Sequence, residues 1–343
     1  MSQPQTSDLP GPEFLDALQA VRRPLLLCHV TPDADAIGSA LGLAMALRER
    51  GTDATLGLPD GCVAQKLEFM LDLAPDTPRA ASWSENNPHD AVIVVDTAGE
   101  KRINIEPKPD LNGNILCFNI DHHVTNTLFG RHNWIDPHAT STCEMIVRLL
   151  ARLDWTPSPA VASLLYAGIH SDTAGFSLPS TSAASLNCAA DLVAGGADVA
   201  RICELLCRSQ AHNDFELLRR VFDNTKVVAG GRIAYSFLSH DDFRESGCKA
   251  ETIDDQVGVP LGLKGVRLAL LFTEGEKDVV RINLRGEGGV TVLELAKRFG
   301  GGGHVHAAGV RVRNQPIQKV IKDVVAAAIE HIDAFQEANA ATQ

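Results

Sequence analysis

Leu116-Cys117-Phe118-Asn119-Ile120-Asp121-His122-His123 is the stretch that decides the fold. Its first five, mostly apolar, residues read as a buried strand, and a carboxylate followed by two imidazoles stands where that strand leaves its sheet. Two similar runs precede it. Pro24 to Cys28 ends in His29 and is followed by Asp33 and Asp35, while Ala91 to Val95 ends in Asp96. In an open parallel sheet, ligands gather outside the carboxyl ends of the strands, so three such endings should converge on one crevice. That convergence is expected to make a metal site.

The 343 residues are enough for two domains with substantial cores. Basic residues number 31 against 43 acidic ones, a net charge of −12, which argues against a long duplex held by a basic surface. The imbalance is uneven: from Gly230 onward there are 14 basic and 15 acidic residues, leaving 17 and 28 for residues 1–229. The acidic excess therefore belongs to the part that carries the carboxylate clusters, where bound cations would neutralise some of it. Eight cysteines with no C-x-x-C pair suit reduced thiols, and no apolar stretch reaches the length of a bilayer span. The chain is expected to be cytoplasmic, with no membrane partner.

Strands alternating with helices through Asp172 imply a parallel α/β sheet. Ile37 to Arg50 reads as a helix closed by Gly51, and Lys101 to Gly113 as a polar surface excursion. Glu144 to Leu153 and Ser158 to Ile169 read as helices, and the second of these delivers His170 and Asp172. Thr181 to Phe222 is all helical and suits a connector. Beyond it, Gly231 to Leu238, Val266 to Thr273 and Val279 to Leu284 read as strands joined by short turns, followed by helices at Val292 to Phe299 and Ile317 to Phe335. The expected organisation is a parallel-sheet domain over residues 1–195, a helical connector over 196–229 and a smaller α/β domain over 230–343, with the active site in the cleft between the domains.

The first chemical cluster is His29-x-x-Pro32-Asp33-x-Asp35-x-x-Gly38-Ser39. Asp33 and Asp35 lie two apart on a loop pinned by Pro32, a spacing that lets each carboxylate face a different ion. Singly, each acidic group has an ordinary explanation: Asp33 as a helix cap, Asp96 as a turn residue, Asp121 as the carboxylate fixing a histidine tautomer, Asp172 as a helix stop. Four such groupings at the exits of four apolar segments are not independent accidents. Six ligands, His29, Asp33, Asp35, Asp96, His122 and Asp172, suffice for two divalent cations sharing one carboxylate. Mixed imidazole and carboxylate ligation suits Mn2+, or another first-row ion such as Co2+, better than Mg2+. Two cations roughly 3.5 to 4 Å apart clamp a phosphorus centre for hydrolysis.

In the second lobe, Arg281-Ile282-Asn283-Leu284-Arg285 alternates with period two, which puts Arg281, Asn283 and Arg285 on one strand face. Gly300-Gly301-Gly302-Gly303-His304, with Ala307-Ala308-Gly309, lets backbone approach a ligand closely, and His304 can donate to a phosphate. The run lacks the Lys-Ser/Thr of a nucleoside-triphosphate loop. His132, His138, His170, His212, His240 and His306 read as surface or structural.

Together these motifs resemble the DHH phosphoesterase superfamily in its compact form with a DHHA1-type carboxyl-terminal domain, the NrnA-like nanoRNase and pAp-phosphatase group. The resemblance covers nearly the whole chain. It implies one ion held by His29, Asp33 and Asp96 and another by Asp35, Asp96, His122 and Asp172. His123 would lie over the scissile phosphate, with Asp121 in support and Asp96 shared. Arg281 and Arg285, with Gly301, Gly302, Gly303 and His304, would grip the nucleotide. The implied activity is hydrolysis of very short RNA or linear dinucleotides to mononucleotides, and of pAp to AMP, by a protein that could pair as a homodimer. One position departs from the group: its strand usually continues with a serine after the arginine, and Gly286 stands here. A catalytically silent nucleotide-binding regulator is a rival reading that the full ligand set disfavours. A pyrophosphate or polyphosphate phosphatase is another, disfavoured by the Gly-rich second lobe and the lack of the Lys/Arg-rich motif found in manganese-dependent pyrophosphatases.

Overall fold

The computed structural model describes residues 8–84, 88–111, 113, 115–208, 212–248, 253, 256–303 and 305–340. The chain divides into two compact units, Met1–Ser209 and Gln210–Gln343. The boundary between the units falls within the expected connector, residues 196–229.

The first unit runs α1 (Pro12–Ala20), β1 (Pro24–Leu27), α2 (Ala34–Arg48), β2 (Thr55–Gly57), α3 (Glu68–Asp72), β3 (Arg79–Ala80), β4 (Ala91–Val95), β5 (Leu116–Asp121), β6 (His132–Ile135), α4 (Thr142–Arg152), α5 (Pro159–Asp172), α6 (Ala183–Ala194) and α7 (Val199–Cys207). Its strands form one sheet in the order β3-β2-β1-β4-β5-β6, parallel throughout. Every residue of β1 and β4 is buried, as the unbroken apolar runs require of strands covered on both faces. Leu26, Ile93, Val95, Phe118 and Ile120 pack with α2, α4 and α5 on one side, whereas Leu25, Leu27, Val92, Val94 and Cys117 face the other.

That second face corrects the expected surface excursion. Ile103 and Ile105, at 1% and 0% exposure, lie flat on the sheet with Leu111, and the Asn104 amide donates to the Cys28 carbonyl at 3.0 Å. Three apolar residues scattered among charges gave no periodic signal. The edge strand β6 was also silent, because His132 and Asn133 dilute its apolar pair; Trp134 is buried beside Phe14, and His132 stacks on Phe118 at 5.1 Å.

The second unit runs α8 (His212–Asp223), β7 (Lys226–Val228), β8 (Ile233–Leu238), α9 (His240–Ser246), α10 (Gly258–Leu261), β9 (Leu268–Glu276), β10 (Val279–Gly286), α11 (Leu293–Arg298), β11 (Gly302–Gly303), β12 (Ala307–Arg313) and α12 (Ile317–Ala340). The sheet order is β11-β12-β10-β9-β8-β7, with only β8 and β9 parallel. The expected short turn between β8 and β9 is replaced by a crossover holding α9 and α10, which a parallel pair needs. Val280, Ile282 and Leu284 of β10 pack with α11 and α12 on one face of the sheet. A second cluster, from α8, α9 and α10, draws its strand residues from β8 and β9 among the described residues.

Candidate metal centre

The parallel sheet delivers its side chains at the carboxyl ends of β1, β4 and β5, as the apolar runs require. His29 lies just beyond β1, 7% exposed. Its Nδ1 donates to the Val30 carbonyl at 2.8 Å, which leaves Nε2 facing Asp96 Oδ2 at 3.4 Å and Asp33 Oδ2 at 3.7 Å. Fixing one ring nitrogen with a backbone carbonyl is how ligating histidines are usually oriented.

Asp33 plays two parts with two oxygens. Its Oδ1 caps α2, accepting the amides of Asp35 and Ala36 at 3.1 and 3.0 Å, while Oδ2 faces His29. The cap explains why α2 begins at Ala34, three residues before the expected Ile37. Asp35 is fully buried in the first turn of that helix. Its Oδ2 accepts the Thr142 amide at 2.7 Å and its Oδ1 the Cys143 amide at 2.8 Å, so the amino terminus of α4 holds it in place. Helices α2 and α5 must approach closely for this, and a β-carbon at Gly168 would lie 2.3 Å from Cys143 Sγ and 2.9 Å from Asp35 Oδ1.

Asp96 stands between the groups. It is 2% exposed and takes a left-handed backbone with φ +49°, a strained placement of the kind that gathers at functional sites. Its Oδ2 faces His29, and its Oδ1 accepts from the Thr142 hydroxyl at 3.1 Å and lies 3.5 Å from His122 Nε2 and 3.7 Å from His123 Nδ1. His122 Nε2 lies 3.4 Å from Asp172 Oδ2 at the end of α5. Among the described residues, three sets of donors that could hold a metal result: His29, Asp33 and Asp96; Asp35, His122 and Asp172; and Asp96, His122 and His123, the ligand atoms of each set lying within 4.8 Å of one another. Asp121 is buried behind them, accepting His123 Nδ1–H at 2.7 Å and Asn126 Nδ2–H at 2.6 Å.

The electrostatics ask for cations. Burial, then the neighbouring Asp96, pushes the Asp35 carboxyl up to about 7, and burial with Asp35, Asp33 and Asp96 nearby raises Asp172 well above the carboxylate range. His29 moves to about 10: burial opposes its charge, but the hydrogen bonds to Asp33 and Asp96 outweigh it. These groups bind protons in the fold that they release when unfolded. Metal-free protein is therefore expected to lose stability as pH rises from about 4 through about 7 for Asp35, and from about 6.5 through about 10 for His29. Asp33, whose carboxyl the His29 hydrogen bond lowers against the opposing effect of burial, acts the other way only below its ordinary 3.8. Calorimetry of chelator-treated protein should show a falling melting temperature between about pH 5.5 and 8.5, with the gain from added Mn2+ growing over the same interval.

Two contacts were missed in the sequence: Thr142, whose amide and hydroxyl reach Asp35 and Asp96, and Asn126, which braces Asp121. The expected helix began at Glu144, two residues after its observed start; a Ser141-x-x-Glu144 pattern is the signal that could have marked the terminus holding Asp35, since Ser141 Oγ accepts the Glu144 amide at 3.0 Å. His170 sits apart from the cluster's donor sets, 3.6 Å from Cys203 Sγ.

In the second unit, Arg281, Gly301 and Gly302 line an open pocket of about 450 Å³ with Asn283, Gly309 and Arg311. Arg285 continues the same strand face and donates Nη1–H to the Leu284 carbonyl at 3.1 Å, and Gly303 pairs with Ala308. His304 lies outside the described residues. The glycine at 286 has a local cause, because a β-carbon there would lie 2.1 Å from the Val290 carbonyl oxygen. Gly286→Ser is expected to destabilise the protein by about 1–3 kcal/mol in chemical denaturation.

Comparison with known families assigns residues 25–169 to the DHH family, N-terminal domain, and residues 230–338 to the DHHA1 domain. The chain is 29% identical to the bifunctional oligoribonuclease and PAP phosphatase NrnA of Thermus thermophilus, over 92% of this chain and 93% of that protein. It is also 29% identical to its Bacillus subtilis counterpart, over 88% and 94%. An exopolyphosphatase-related protein from Bacteroides fragilis shares the fold with a TM-score of 0.85 at 23% identity, over 96% of this chain and 98% of that one. The assembled strand exits, the two domain matches and the full-length relatives agree: the chain belongs to the DHH family with a carboxyl-terminal DHHA1 domain, and is a metal-dependent phosphoesterase.

Proposed function

We propose that this enzyme hydrolyses very short oligoribonucleotides or linear dinucleotides to mononucleotides, and pAp to AMP, with two divalent cations, manganese foremost. The observation that carries this reading is Asp96, one carboxylate turned toward two separate donor sets. His29, Asp33 and Asp96 would hold one cation, and Asp35, Asp96, His122 and Asp172 the other. Cations held there would supply Lewis acidity toward a phosphoryl oxygen.

The chain's own residues do the rest. His123, oriented through Nδ1 by Asp121, presents its ring to a phosphoryl oxygen and keeps its proton to higher pH, since the Asp121 carboxylate outweighs the opposing effect of burial. Thr142 fixes the rotation of both Asp35 and Asp96. In the second unit, Arg281 and Arg285 with Gly301, Gly302, Gly303 and His304 would bind nucleotide, guanidinium forks matching phosphate geometry. The names of the two relatives above support this choice of substrates. Eight free cysteines suit a reducing cytoplasm, and among the described residues no helix is long and apolar enough to cross a membrane.

The test is metal-stripped protein supplied with Mn2+ and offered pAp, a dinucleotide, a pentanucleotide, a long single strand and pyrophosphate. Turnover of the first three, with little of the last two, is expected. Turnover confined to pyrophosphate would overturn the reading.

A further inference from the structure

Outside the candidate metal centre, the first unit gathers a second group of soft donors where α5 packs on α7. Tyr166 and His170 stand one turn apart on α5, and Cys203 and Cys207 one turn apart on α7. Residues four apart share a helix face, with β-carbons about 5 to 6 Å apart. Cys203 Sγ lies 3.6 Å from His170 Nε2, and the Tyr166 hydroxyl also hydrogen-bonds to it.

These spacings match coordination. With bonds of about 2.3 Å to sulfur and about 2.0 to 2.1 Å to nitrogen, a tetrahedral ion separates a thiolate from an imidazole nitrogen by roughly 3.5 Å. Cys203 and His170 already stand at that separation. The same ion places two thiolates roughly 3.8 Å apart, within reach of a helical pair once Cys207, exposed at the end of α7, turns its Sγ between staggered χ1 wells. The Cys203-x-x-x-Cys207 interval also falls within the spacing usual for zinc-binding cysteines. Burial, and after it the nearby Cys207, raises the Cys203 thiol, so two thiolates here repel and a cation between them relieves that repulsion. Room for the ion comes from Gly175, at φ +67°, because a β-carbon there would lie 3.4 Å from His170 Nε2.

The group is separate from the strand exits. His170 and Asp172 are two apart on α5 and so face different sides, Asp172 toward His122. The three donor sets at the strand exits contain no sulfur, and thiolates select zinc-like ions over manganese.

We propose that His170, Cys203 and Cys207 form a site for a soft divalent cation of the Zn2+ and Cd2+ class, with water in the fourth position, distinct from the centre that serves hydrolysis. An ion held there ties the carboxyl end of α5 to α7.

The test is a titration of the reduced full chain, saturated with Mn2+, with Cd2+, followed by the ultraviolet charge-transfer absorption of sulfur bound to cadmium. Wild type should develop the band to one equivalent. C203S and C207S should each diminish the band and weaken Cd2+ binding by at least about tenfold, and H170A should weaken binding as much while keeping the band at saturation. Cys207 is exposed, so loss of binding in C207S does not come from a disturbed core. C62S/C248S, which removes the two other partly exposed cysteines, should bind as wild type does. No band in wild type, an undiminished band in C203S and C207S, or unchanged affinity in H170A would overturn the proposal and leave Cys203 and His170 as a hydrogen-bonded pair.

Discussion

Asp96→Ala should abolish hydrolysis of every substrate, lowering kcat by at least about a thousandfold, while leaving the far-ultraviolet circular dichroism of the folded protein in place. The residue is 2% exposed, and each of its oxygens serves a different donor set, Oδ2 beside His29 and Oδ1 beside His122. Under the proposed two-cation arrangement its removal would take a ligand from both cations at once, unlike loss of Asp33 or Asp172, which belong to one set each. The same variant should lose most of the thermal stabilisation that Mn2+ gives wild type. Substantial turnover in Asp96→Ala, or an undiminished Mn2+ shift, would contradict the shared role.

Asp121→Asn is the second large effect, a loss of roughly a hundredfold or more in kcat with KM and Mn2+ affinity little changed. Asp121 is a member of none of the three candidate sets, yet it is fully buried and accepts the His123 Nδ1 proton at 2.7 Å, with Asn126 braced on its other oxygen. An amide of the same shape keeps the packing and removes the charge that raises the His123 pKa against the opposing effect of burial. His123 should then lose its proton at lower pH, so the alkaline limb of the kcat profile should move to the acid side. A change in KM alone, with the profile unmoved, would make Asp121 a packing residue.

The candidate metal centre was legible because its scaffold is apolar. β1 and β4 are buried from end to end and β5 at all but its first residue, so His29 and Asp96, just beyond the first two, and Asp121, at the end of the third, stand out. Asp33 shows why single residues mislead: its capping role and its place beside His29 are both present, one oxygen each. Thr142 was hidden for the opposite reason. Its local signal is that of an ordinary helix start, and its reach to Asp35, 107 residues earlier, arises only when α4 packs on α2. In the second unit the alternation of β10 gave the arginine face directly, and Val310 to Val312 also reads as a strand, but which residues of the two strands oppose one another needed the register. The crossover between β8 and β9 was missed because α9 spans seven residues and α10 four, too short for helical periodicity.

The most direct measurement is anomalous diffraction from crystals of the full chain soaked in Mn2+. Two peaks roughly 3.5 to 4 Å apart, one against His29, Asp33 and Asp96 and the other against Asp35, Asp96, His122 and Asp172, are the result expected. A single peak that leaves Asp96 out, or no peak at the ends of β1, β4 and β5, would contradict the two-cation centre.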